Sequence, residues 1–147
     1  RSDTYVDFGR PLYIEDIRSM DDLEITLRQR MGALVRVSAC SLVARALRSE
    51  TRVPVGELLE RMRADQELLR ANRVLLCDSA AGDCSTVLSA ALQHLAQPRR
   101  RRNIIALVGP PRRRSVCVRN PNVIAYYANT IEHFFAPMQA GSTRDEE

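Results

Sequence analysis

The chain has 147 residues, 45% hydrophobic and 27% charged, with a formal net charge of +4. This length and composition predict one folded domain with its own core and argue against a disordered or fibrous chain. No stretch reaches the roughly 18 apolar residues of a membrane span, so we expect no membrane partner. All 22 basic residues are arginine, which fits both a GC-rich genome and selection for bidentate anion recognition.

The start of the chain predicts an extended segment followed by a long helix. Residues 4–14 contain β-forming side chains interrupted by a glycine and a proline, which favours an extended arm or a kinked edge strand. Ser19 is a suitable N-cap for a helix over residues 20–49. Thirty residues are long for one helix, so we expect a break near Gly32 or at Val37 and Ser38.

A second helix is predicted over residues 55–71, where Pro54 suits the first turn and Asn72 the end. The apolar stripe predicted for it consists of Leu58, Leu59, Met62, Leu68 and Leu69. Residues 73–77 form a short apolar run typical of a buried strand, and residues 78–83 read as a loop. A third helix is predicted to run to Ala96, capped by Ser85 or Thr86.

The last third of the chain predicts a hairpin and a helix. Two strand patterns, at residues 103–108 and 115–119, are separated by a Gly-Pro-Pro turn that we expect to extend over residues 109–113. Asn120 caps a final helix over residues 122–135.

The order of these elements predicts a mixed α+β fold. A helix-rich N-terminal half precedes a β-α-β-hairpin-α arrangement, in a single compact domain over residues 1–140 with a flexible polar tail over residues 141–147. Helices followed by a hairpin resemble a winged helix, whose wing often contacts phosphates. A strand at residues 73–77 departs from that topology.

Positive charge is concentrated in one stretch. Residues 1–83 contain 13 arginines and 14 acidic residues, whereas residues 84–131 contain eight arginines and no acidic residue. Residues 132–147 contain one arginine and four acidic residues. The eight arginines of the acid-free stretch are Arg99, Arg100, Arg101, Arg102, Arg112, Arg113, Arg114 and Arg119.

We expect these arginines to flank both ends of the hairpin, with Arg119 near the first cluster and residues 112–114 at the opposite tip. Such a patch predicts a non-enzymatic module that binds nucleic acid or another polyanion. Neither predicted strand carries an aromatic residue, so a base-stacking sheet is disfavoured. The alternatives are a protein-interaction or assembly domain that meets an acidic surface, and a solvated loop. Four consecutive arginines also match a nuclear-import signal.

Other motifs argue against an enzyme. The cysteines at positions 40, 77, 84 and 117 form no close pair. They favour free thiols in a reducing compartment, nuclear or cytoplasmic, over a disulfide or a metal site. Cys40 and Cys117 are predicted to be small core residues. The Gly109 turn follows a strand but lacks the lysine of a phosphate-binding loop. We therefore expect no catalytic residue, cofactor or metal.

Aromatic residues near the end suggest a second surface. Tyr126, Phe134 and Phe135 are candidates for a protein interface, although their spacing also suits a core. The first helix is apolar enough to be buried in a homodimer.

Overall fold

A layer of helices packed on one small sheet makes up the protein. The computed structural model describes residues 8–48, 50–96 and 103–135. Its helices are α1 (Met20–Ala33), α2 (Ala39–Leu47), α3 (Val55–Ala71), α4 (Asp78–Ala81), α5 (Cys84–Leu95) and α6 (Pro121–Asn129). Its strands are β1 (Arg52–Pro54), β2 (Ile105–Val108) and β3 (Ser115–Val118). The fold is a mixed α+β single domain, as predicted.

The sheet is antiparallel with β3 in the middle, in the order β1-β3-β2. Ile105 pairs with Val118 and Leu107 with Val116, which confirms the predicted hairpin. On its other side, Val116 pairs with Val53 of β1. Sequence analysis missed β1, because three residues before a helix have no strand pattern of their own. These three residues form a strand because they pair with the distant strand β3.

The strand predicted at residues 73–77 is wrong. This segment makes a single parallel bridge between Leu76 and Val37. Two hydrogen bonds hold it, from Val37 N to Leu75 O and from Cys77 N to Val37 O, each 2.9 Å long. Arg73 enters the segment with φ of 55°, and Leu75 is exposed, so the run is neither straight nor buried on both faces.

The long helix predicted over residues 20–49 is divided into α1 and α2. The break falls at one of the two expected places, because the Ser38 hydroxyl accepts from Ser41 N (3.1 Å) and caps α2. Ser19 caps α1 in the same way, accepting from Asp22 N (3.1 Å). The two helices differ in burial: α1 buries none of its residues, whereas seven of the nine in α2 are buried.

The core lies around α2, which packs against α3, α5 and α6. Its largest fully buried side chains include Leu42, Leu47, Leu58, Met62, Leu69, Leu95, Ile105, Ile124 and Ile131. Helix α3 has the predicted bounds, but Leu68 is 45% exposed and not part of the buried stripe. The inward position is taken by Gln66, whose Nε2 donates to Ala80 O (2.8 Å).

Two other helix ends differ from the prediction. Asp83, not Ser85 or Thr86, is the N-cap of α5, and part of the predicted loop before it is α4. Helix α6 ends at Asn129, and a 3₁₀ turn, Glu132–Phe134, follows it. Thr130 Oγ1 donates to Tyr127 O (2.7 Å), a local hydrogen bond that competes with continuation of the helix.

The central elements follow one another as helix α2, strand β1, helices α3, α4 and α5, and strands β2 and β3, with β3 between the other two strands. The first strand of the sheet is therefore β1 and not the run at residues 73–77.

Candidate functional site

The turn between β2 and β3 has a fixed backbone shape. Gly109 has φ of 102°, and a Cβ placed on it would lie 2.7 Å from Arg113 O. Only glycine fits such a position without strain. Two prolines follow, and Arg113 N donates to Pro110 O (2.9 Å) to close the 3₁₀ turn Pro111–Arg113. The turn therefore presents its arginines from a constrained loop.

Three consecutive arginines, Arg112, Arg113 and Arg114, form the tip of this hairpin, and we call them the tip arginines. All three are exposed. Within residues 8–48, 50–96 and 103–135, no carboxylate forms an ion pair with them. The carbonyl of Arg114 accepts from Val55 N (2.9 Å), which anchors the tip to the start of α3.

Arg119 lies at the other end of the hairpin, just after β3. Its backbone N–H donates to Ile104 O (2.8 Å), and its side chain is exposed. Four strand residues separate it from the tip, a distance of about 13 Å. The predicted placement of charge at two ends holds for Arg119 and the tip arginines. The cluster of Arg99, Arg100, Arg101 and Arg102 lies outside the described residues.

Helix α5 adds a neutral polar surface. Its exposed side chains are Ser85, Thr86, Ser89, Gln93 and His94, while Cys84, Val87, Leu88, Ala91 and Leu95 are buried. The Asp83 carboxylate accepts from Ser85 N (2.9 Å) and Thr86 N (3.2 Å). Hydrogen bonds from Ser85 and Thr86 hold the pKa of Asp83 well below its usual range. Asp83 is the last acidic residue before the acid-free stretch, and its carboxylate caps the N-terminus of α5.

Arginines of the helical half are placed differently. Arg45 forms ion pairs with Asp65 (3.4 Å) and Glu132 (2.8 Å), and its guanidinium carbon lies 3.5 Å from the centroid of the Phe135 ring. Burial raises the pKa of Asp65, and the charge of Arg45 opposes that rise. Arg61 pairs with Glu50 and with Glu57, which is one helical turn before it on α3.

The aromatic residues proposed as an interface occupy two environments. Tyr126 is 68% exposed on α6 and makes an edge contact with Tyr127, with the ring centroids 5.6 Å apart. Phe134 and Phe135 pack partly against the core. The structure therefore does not bring these three residues together on one open surface.

The four cysteines are free thiols. Cys84 is the buried one, and its Sγ donates to Gln66 Oε1 (3.3 Å). Cys40 packs against the core, and burial raises its pKa to about 11. Cys117 is only partly buried and is not one of the buried core residues, although the sequence predicted it to be one. The described part of the chain holds no group of three or more His, Cys, Asp or Glu residues suited to a metal ion.

Comparison with family models, curated proteins and solved structures finds no match for this chain. In the described ranges, no helix has both the length and the apolar character needed to cross a bilayer. The geometry therefore carries the functional argument. The tip arginines were identified from the sequence. The hydrogen bond from Val55 N of α3 to Arg114 O and the polar face of α5 were not, because both depend on how distant segments pack.

Proposed function

We propose that this domain is a non-enzymatic module that binds the phosphate backbone of a nucleic acid through the tip arginines. The observation that carries the proposal is three consecutive exposed arginines with no carboxylate partner among the described residues. Arginine presents a planar fork of donors that matches a phosphate bidentately. An arginine already paired with a carboxylate would have to give up that pair first.

The surroundings of the tip arginines support the same function. Residues 84–131 contain eight arginines and no acidic residue, so this stretch is strongly positive even though the whole chain is close to balanced. The polar face of α5 carries no acidic side chain, and the C-terminal end of this helix lies at the Arg119 end of the hairpin, where Ile104 N donates to Leu95 O (2.9 Å). A winged-helix connectivity is compatible with a hairpin that lies along a phosphate backbone.

Duplex nucleic acid is favoured over single strands. Strands β2 and β3 contain no aromatic residue, so they offer no platform on which unpaired bases could stack. Contacts to phosphates position a protein without reading sequence, so we expect weak sequence preference. An acidic protein surface is the second candidate partner, because arginines without a carboxylate partner among the described residues can also pair with carboxylates of another protein. Either partner suits an intracellular location, nuclear or cytoplasmic.

The test is a salt series of binding to a labelled duplex DNA and a labelled single-stranded RNA. The slope of log K against log salt is about −0.9 per neutralised phosphate on duplex DNA. Replacing all three tip arginines with glutamine removes three such contacts, so the magnitude of the slope should fall by about 2.7. Affinity at low salt should fall for every duplex sequence alike.

A matched control keeps the same change in net charge. Arg10, Arg63 and Arg73 are also exposed, and they lie in the helical half. Their triple replacement with glutamine should leave the slope within about one contact of the parent. No binding of the parent chain at low salt, or equal losses in the two triple variants, would overturn the proposal. Binding only to acidic proteins would replace it with the second candidate.

A further inference from the structure

Exposed apolar side chains are concentrated near the beginning of the described chain. Of the eleven large exposed hydrophobic residues in the described ranges, seven lie between residues 8 and 31. They are Phe8, Tyr13, Ile14, Met20, Ile25, Leu27 and Met31. Single exposed apolar residues are normal, but such a concentration marks an interaction surface.

Helix α1 contains four of these seven residues, Met20, Ile25, Leu27 and Met31. It has 14 residues, and none of them is buried. An isolated helix of about 12–15 residues is marginal in water, because most helical stability in proteins comes from packing an apolar face. Helix α1 buries no apolar face within the described part of this chain, so its exposed apolar side chains are available to a partner.

Its apolar side chains form a stripe. Successive residues turn by about 100° around the axis of an α-helix, which places Met20, Leu27 and Met31 within about 40° of one another. They are 77%, 41% and 67% exposed. Glu24 and Arg28 lie one helical turn apart along one edge of the stripe. They form an exposed ion pair of 2.6 Å within the helix.

The charges of α1 are ordered along its length. Its first half carries Asp21, Asp22 and Glu24, and its second half carries Arg28 and Arg30. A helix with this order is complementary to an antiparallel copy of itself, whereas a parallel copy would place like charges together. Charge order therefore favours a second copy of this chain as the partner.

We propose that α1 packs antiparallel against α1 of a second copy, about a two-fold axis near Thr26. Glu24 and Arg28 are each two residues from that axis, so Glu24 of each copy faces Arg28 of the other. The Glu24–Arg28 ion pair within each helix is replaced by two Glu24–Arg28 pairs between the copies. The stripes of Met20, Leu27 and Met31 on the two helices then cover each other. Two helices of four turns bury less than the roughly 1,200 Å² of a standard interface, so the dimer should be reversible and micromolar.

Sedimentation equilibrium of the chain without nucleic acid tests this dimer. The mean mass should rise from one chain towards two between about 5 and 500 µM. Leu27→Glu should weaken the dimer at least tenfold. The matched control is Leu68→Glu, since Leu68 is a similarly exposed leucine on α3, and this variant should associate like the parent. Circular dichroism establishes that both variants are folded.

A charge exchange tests the antiparallel arrangement. Glu24→Arg leaves two cations on each helix edge, and Arg28→Glu leaves two anions, so each variant alone should be mainly monomeric. An equimolar mixture should recover the dimer, because unlike edges then meet. A chain that stays monomeric at the highest concentration, or a mixture that associates no better than its components, would overturn the proposal. Because no nucleic acid is present, this result is independent of the proposed function.

Discussion

Arg45 and Arg61 of the helical half and the tip arginines of the hairpin are the same residue type in two different environments. In the helical half, Arg45 and Arg61 lie between carboxylates that neutralise them. At the hairpin, the tip arginines have no such neighbour among the described residues. The net charge of +4 hides this difference. What distinguishes a structural arginine from an available one is the local supply of carboxylates.

Burial separates the two groups as well. The side chains of Arg45 and Asp65 are mostly covered, and Phe135 lies over the guanidinium. Removing one member of a covered pair leaves the other charge without compensation. The tip arginines are solvated, so removing them leaves no carboxylate of the described residues without its partner. We therefore expect the first group to determine stability and the second to determine binding.

The largest effect on stability is expected at Arg45. Arg45→Met keeps the apolar stem but leaves Asp65 and Glu132 without this partner, which should cost about 2 kcal/mol of the free energy of unfolding. Urea denaturation measures it. The control is Arg48→Met, since Arg48 also pairs with Glu132 but is more exposed, and it should cost about 0.5 kcal/mol. Equal losses of unfolding free energy in the two variants would show that the covered ion pair contributes no more to stability than the exposed one.

The next effect is expected at Gly109. Gly109→Ala places a methyl group 2.7 Å from Arg113 O at a φ of 102°, so the hairpin turn must shift at a cost of about 1–3 kcal/mol. Nucleic-acid affinity should fall too, although every arginine is still present. Gly56→Ala is the control, because nothing lies within 4 Å of a Cβ placed there. Unchanged binding by a folded Gly109→Ala variant would show that the shape of the tip is irrelevant.

A smaller effect is expected at Asp83 and depends on pH. Because hydrogen bonds lower the pKa of this carboxylate in the folded state, the folded protein binds the proton less readily than the unfolded chain. Its contribution to stability is complete above the ordinary pKa of about 3.9 and is lost as the pH falls through the lowered value. Urea midpoints measured between about pH 5 and pH 2 should therefore fall more steeply in the parent than in Asp83→Asn. Parallel curves would refute this.

The smallest effect on stability is expected at the tip arginines. Their triple replacement with glutamine should change the free energy of unfolding by no more than about 0.5 kcal/mol, because exposed side chains without partners contribute little. The same variant should show the large loss of binding described above. A loss of stability comparable to that of Arg45→Met would mean that the tip has a structural role.

Local sequence signals predicted the elements that depend on local chemistry. Pro54 and Asn72 define α3, and Asn120 caps α6 by accepting from Val123 N (3.3 Å). The β2–β3 hairpin followed from two apolar runs and a Gly-Pro-Pro turn. In each case, the residues that determine the element lie within it or beside it.

Elements that depend on distant packing were not predicted. Strand β1 is three residues long and exists through β3, and the run at residues 73–77 makes one bridge because only Val37 lies beside it. The cap of α5 is a different case, because Asp83 lies next to the helix and was still not predicted: its carboxylate accepts several hydrogen bonds where a hydroxyl would accept fewer. In the candidate site, the charge of the tip arginines could be predicted from the sequence. Their exposure, and the lack of carboxylate partners for them among the described residues, could not.

The middle position of β3 has a consequence for how the chain folds. Its pairing with β2 joins residues close in sequence, such as Val108 and Ser115, whereas its pairing with β1 joins Arg52 and Cys117, which are separated by α3, α4, α5 and β2. The hairpin can therefore close within microseconds, but the third strand must wait until the helices between have collapsed. A chain ending before β2 would lose the hairpin and also leave β1 without the partner that makes it a strand.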